Sequence, residues 1–382
     1  MNPRIATTRR AILAVAALAV GALGGCGVWP WSSKPTLPEL PSVSGSARVV
    51  LAWSLPMPRG GVGFQPVLAA GSVWAAASDG TVVRADAASG RTLWRSNAGQ
   101  ALQAGVGSDG ELAVVAGRDG SLIALDRDGR QKWSVQTGAE VVTVPSVALG
   151  LVLVRTSDNR VAAFETDTGK RRWTFQRQNP PLVLRHTAMI AMDAGAAYVG
   201  LPGGRLVALS LDTGALRWEV AVAMPRGSNE IERIADVVGT PLISGREICA
   251  ATFQGRVGCF DTASGRALWG RELSSPSGLD LDGRLLVVPD DRGDVHAFAR
   301  SGASLWRQDK LRQRGLSAPL LMERMVLVGD RAGLVHALSR DDGAIAARLS
   351  TDDSPIVAAP VAADGLAVVQ TAAGSVYALR VE

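Results

Sequence analysis

The chain has 382 residues, 40 Lys and Arg against 35 Asp and Glu, a formal net charge of +5 and only three Cys. Three of those positive charges fall in the first 25 residues, which hold no acidic group, so the remainder carries only +2 and no basic block. Charge therefore gives no support to nucleic-acid binding. Hydrophobic residues reach 47% without a sustained helical period, which points to an all-β chain.

Residues 1–25 have the form of an export signal: Arg4, Arg9 and Arg10 precede an apolar run from Ala11 to Leu23 that is short for a membrane span. The run ends Leu23-Gly24-Gly25-Cys26, which resembles a bacterial lipobox and implies lipidation of Cys26. Gly27 in place of Asp is similar to the pattern of outer-membrane lipoproteins. Several acyl chains give stable anchoring where a single chain is marginal. Residues 26–47 carry Pro30, Pro35, Pro38 and Pro41 among several Ser, the composition of a tether. Extended at ~3 Å per residue, it spans up to about 60 Å.

From residue 48 the chain repeats. Gly80-Thr-Val-Val-Arg-Ala85 recurs as Gly120–Leu125, Asn159–Phe164, Gly204–Leu209, Gly255–Phe260, Gly293–Phe298, Gly333–Leu338 and Gly374–Leu379. Each copy but the last runs into a turn with Gly, and six of those seven turns lead to Trp: Trp94, Trp133, Trp173, Trp218, Trp269 and Trp306. Asp-x-x-Gly between two apolar runs is hairpin chemistry, because Gly supplies positive φ and Asp caps its own turn. A short strand lies upstream of each Gly, and before that another, often opened by proline as at Pro66, Pro145, Pro241, Pro319 and Pro360. Proline suits a first or edge strand. Four short strands per period of about 40 residues predict an eight-bladed β-propeller over 48–382.

The ends of the array predict its closure. The seventh repeat has Ala346-Ala347 where Trp is expected, and the eighth runs to Glu382 without a fourth strand. An unassigned Trp strand stands at the other end, around Trp53. We expect this strand to complete the last blade and cover the open sheet edge.

Within the propeller, Cys249 and Cys259 flank the turn at Gln254-Gly255. They fit either a cross-strand disulfide, which an exported protein permits, or two buried thiols. His296 and His336 share one slot of the repeat, which elsewhere holds Val83, Ile123, Ala162, Val207, Gly258 and Tyr377. Such a slot is a packing position, so no metal site is expected, and no nucleophile elbow or phosphate loop is present.

Trp53, Trp94, Trp133 and Trp173 are 41, 39 and 40 residues apart, but the next two intervals are 45 and 51. The extra length falls in two connections, about 175–187 and 221–239, flanking the fourth blade. Both run from an outermost to an innermost strand, so both lie on one face. They carry Leu182-Val183-Leu184-Arg185 and Glu230-Ile231-Glu232-Arg233-Ile234-Ala235-Asp236. Apolar residues among charges on neighbouring loops suggest either a protein-docking patch or a local cap over the disk.

The Trp repeats resemble the tryptophan-docking propellers of quinoprotein dehydrogenases. Eight of them behind a lipobox, with these two loops, resemble the BamB family of outer-membrane assembly lipoproteins across the whole mature chain. In that family a Leu-x-Leu-Arg loop and an acidic residue in the neighbouring loop contact the POTRA region of BamA. The resemblance thus implies partner-binding roles for Leu182, Leu184 and Arg185, and for Ile231, Arg233 and Asp236. A second acidic position of the family is Val238 here. It also implies a non-enzymatic scaffold without cofactor that assists unfolded barrel precursors at the outer membrane. The competing reading is a periplasmic dehydrogenase using pyrroloquinoline quinone. Its relatives use adjacent cysteines over the quinone and a calcium site, and this chain has no adjacent cysteines.

Overall fold

The computed structural model describes residues 37–43, 45, 47–61, 63–184, 188–193 and 195–382. Their strands form eight antiparallel sheets of four. Blades 1 to 7 occupy 67–97, 107–136, 146–176, 191–221, 237–272, 280–308 and 320–350, each in chain order from inner to outer strand. Blade 8 takes three strands from 361–381, and its outermost strand is Val49–Leu55 from the other end of the chain. Val49 pairs with Val381 and Leu55 with Val376. The expected eight blades and the closure by the N-terminal strand are both present.

The two middle strands of each blade are packed on both faces by neighbouring blades, so they read as continuous apolar runs rather than alternating ones. Ser72–Ala76, Ser121–Leu125 and Leu151–Arg155 are buried throughout, whereas the outer strand Thr92–Asn97 is mostly exposed. The buried apolar side chains form eight clusters, each shared by two adjacent blades. The core is thus a ring of interfaces between blades.

Tryptophan joins those interfaces. A β-bulge interrupts the register just before each outer-strand Trp, as at Trp94, Trp133 and Trp173, and re-aims the indole toward the next blade. The indole N–H of Trp94 then donates to the Arg127 carbonyl at 2.8 Å, that of Trp133 to Thr166 at 2.8 Å and that of Trp306 to Arg340 at 2.8 Å. Each ring lies on the glycine of the accepting turn. A Cβ added at Gly129 would stand 2.8 Å from the Trp94 ring, and one at Gly169 2.8 Å from Trp133. These turns need glycine for positive φ and for this close approach.

Ala347 breaks the series for a geometric reason. Its blade faces blade 8, whose third strand (Val376–Val381) pairs with Val49–Leu55 from far away in the sequence, so no hairpin turn joins those two strands to receive an indole. The segment before Val49 fills the place. Gly45 packs so closely on Ala346 that a Cβ would lie 2.4 Å from its carbonyl oxygen, and Arg348 donates to the Pro41 carbonyl at 3.2 Å. Leu40 also packs against the cluster between blades 6 and 7, so the packed chain starts before the first strand.

Cys249 and Cys259 are directly opposed on neighbouring strands of blade 5 and form a disulfide. Of the two alternatives left by the sequence, the bonded one is present.

Candidate docking site

The connection from the outer strand of blade 3 to the inner strand of blade 4 covers 177–190, and that from blade 4 to blade 5 covers 222–236. Both share a face with the turns between second and third strands. One carboxylate ties them together. Asp236 Oδ2 accepts the Leu184 N–H at 2.6 Å, and Oδ1 accepts the Gly203 N–H, in the turn of blade 4, at 2.9 Å. The two long loops and the turn between them are therefore pinned at one point.

Around that pin the sequence-predicted residues separate by burial. Leu182 is 45% exposed and Ile231 68%, while Val183 and Arg233 are also exposed and Leu184 is half-buried. Met224, which the sequence reading passed over, is exposed on the second loop. Asp236 is 1% exposed, so it is not part of the surface. Its sequence role as a direct contact is corrected to one of positioning, because both oxygens are engaged inside the fold. Arg185 and Cys26 lie outside the described residues.

Beneath the loops lies Arg155, buried in the second strand of blade 3. Burial lowers its pKa to about 10, against the opposing pull of the Asp236 charge, so the guanidinium stays charged at neutral pH. The tip of the second loop is a single capped turn. Glu232 N–H donates to Asn229 Oδ1 at 3.0 Å, while the Glu232 carboxylate accepts Ser228 N–H at 2.7 Å and Asn229 Nδ2 at 2.9 Å. The arrangement is similar to a capping box, with Ser228 rather than Asn229 supplying the backbone N–H, and the Ser228 backbone and side-chain hydrogen bonds hold the Glu232 carboxyl below its usual pKa. It presents Ile231 and Arg233 on an ordered turn.

The histidine slot is more than packing. His336 Nε2 and Asp330 Oδ2 are 3.0 Å apart, and the same pairing at 3.0 Å joins His296 to Asp290. Arg348 Nε–H donates to His336 Nδ1 at 3.3 Å, which leaves Nε2–H to donate to Asp330. The signal in the sequence is an Asp six residues before each His. Burial lowers the His336 pKa, and the imidazole is neutral. Burial also opposes ionisation of Asp330, but hydrogen bonds from His336, Leu334 and Arg314 outweigh it and hold Asp330 near 2. In the neighbouring repeat, Asp290, Asp294 and His296 converge, but Asp294 is taken by Arg307 and Arg312. In each cluster arginine already holds a carboxylate, Arg314 on Asp330 and Arg307 with Arg312 on Asp294, while Asp290 is bonded to His296 and to backbone N–H groups.

The innermost strands enclose a cavity of about 770 Å³, lined largely by Ala, Leu, Pro and Gly. Its one lining carboxylate, Asp280, has its pKa raised to about 6 by burial, and its two oxygens accept Leu281 and Leu321 N–H. A quinone with calcium does not fit these residues. Cys249 and Cys259 are fully buried between blades 5 and 6, away from the cavity lining.

The fold and its indole docks define a propeller of the quinoprotein type. Quinohemoprotein alcohol dehydrogenase from Comamonas testosteroni superposes with a TM-score of 0.67 at 16% identity, covering 87% of this chain and 76% of that one, a likeness of fold alone. The family described as outer membrane protein assembly factor BamB matches residues 78–301 and 291–382. BamB of Bordetella pertussis is 42% identical over 363 residues, 94% of each chain, and that of Burkholderia pseudomallei 44% over 331 residues, 86% of this chain and 87% of that one. The crystal structure of BamB from Moraxella catarrhalis superposes with a TM-score of 0.80 at 29% identity, covering 87% of this chain and 99% of that one. The chain belongs to the BamB family.

Proposed function

We propose that this protein is a non-enzymatic scaffold of the outer-membrane β-barrel assembly machinery. It is held on the periplasmic side of the outer membrane by lipid on Cys26. It docks on the POTRA region of BamA through Leu182, Leu184, Arg185, Ile231 and Arg233, and assists unfolded barrel precursors there. The observation that carries the docking reading is the exposure of Leu182 and Ile231 on two loops that Asp236 ties to one rigid turn. An apolar anchor held in place before binding loses little entropy on docking and makes a strong contact. A purified POTRA region titrated onto the protein tests this. Changing Leu182 and Ile231 together to Ala is expected to cost at least ~2 kcal/mol of binding with an unchanged melting temperature. Equal binding by the variant rules out this surface.

A further inference from the structure

Beside the docking patch, the two loops frame a second cavity, of about 590 Å³, between blades 3 and 4. Arg177 and Arg205 both point to the one carboxylate of Glu219. Arg177 Nη2 bonds to Oε2, and Arg205 Nε stands 3.9 Å from Oε1. Two cations thus share one anion, and the side chains of both arginines are 46% exposed. Asn159, 2% exposed, also lines the cleft. Pro180, Pro202 and Pro225 give the cleft stiff apolar walls.

We propose that this cleft binds an extended acidic segment of the partner that docks on the adjoining loops. A carboxylate of the segment pairs with Arg205 and Arg177, whose charge Glu219 only half neutralises. Pro180 lines the cleft two residues before Leu182, so the segment is continuous with the apolar patch. This rests on the BamA reading above and adds a charge requirement to it.

The test is a titration of the full-length protein, in detergent, with the purified POTRA region at low and high salt. Arg177→Ala with Arg205→Ala is expected to weaken binding about tenfold and flatten its salt dependence. Glu219→Gln removes the competing anion and is expected to tighten binding about threefold. Loss of local structure would weaken binding in both cases, so the opposite signs report charge recognition. Unchanged affinity and salt dependence in the arginine variant, or weakening by Glu219→Gln, overturns the cleft proposal. If the parent binds and responds to Leu182 and Ile231 but not to the arginines, the docking reading stands and the cleft falls. If the parent does not bind, both fall.

Discussion

Asp236 and Ile231 stand five residues apart on the second loop and have opposite consequences. Ile231 is solvent-facing, so Ile231→Ala leaves stability within ~0.5 kcal/mol and lowers only affinity for the POTRA region. Asp236→Ala strands two backbone donors and leaves the Arg155 charge without its counterpart. It should cost about 3 kcal/mol of stability as well as affinity, which chemical denaturation beside the binding titration would separate. The sequence revealed the loop and its motif but not this division, because burial of a carboxylate depends on which backbone N–H groups the fold brings to it. The Asp330–His336 pair makes a second case. The buried, neutral His336 has a depressed pKa, so the unfolded chain binds its proton first as pH falls through 6.5. Stability is therefore fully present above that pH and declines below it, at up to ~1.4 kcal/mol per pH unit for one group. Asp330 adds a further loss between its ordinary value near 3.8 and its folded value of about 2. Denaturation curves from pH 7.5 to 5.5 should fall more steeply in the parent than in His336→Gln, since Asp280, whose raised pKa of about 6 acts in the opposite sense over this window, is common to both. Equal slopes would show that another group titrates.

The blade is the element whose internal logic was most legible. Continuous apolar runs, turn glycines and a Trp per period specify four strands and their order, since the middle strands are buried on both faces. The bulge before each Trp and the docking of its indole on the next blade were not legible, because both are relations between strands. They change the meaning of the glycines. Gly150 and Gly169 both have positive φ, but a Cβ at Gly150 meets nothing within 4 Å and one at Gly169 meets the Trp133 ring at 2.8 Å. Gly150→Ala should thus cost about 1 kcal/mol, for backbone strain alone. Gly169→Ala should cost about 2–4 kcal/mol, because the indole must also move. Thermal melts of the pair would check the ordering. Equal costs would mean that the docks contribute little to the interfaces.

At the scale of the whole molecule, the ring is shut by one strand from the beginning of the chain. Removing residues 37–55 takes away the outer strand of blade 8 and the packing on Ala346, and exposes a sheet edge. The truncated chain is expected to lose cooperative unfolding and to associate, which light scattering would detect. An unaltered monomeric melt would mean that the closure is dispensable. The intact disk then offers two faces, and only one carries the long loops. The central claim is that this face meets BamA, and hydrogen–deuterium exchange with and without the POTRA region tests it most directly. Slowed exchange in 177–184 and 222–235, with the opposite-face turns at 87–91 and 166–170 unchanged, is the predicted result. Protection of those opposite turns, with the long loops unchanged, would contradict it.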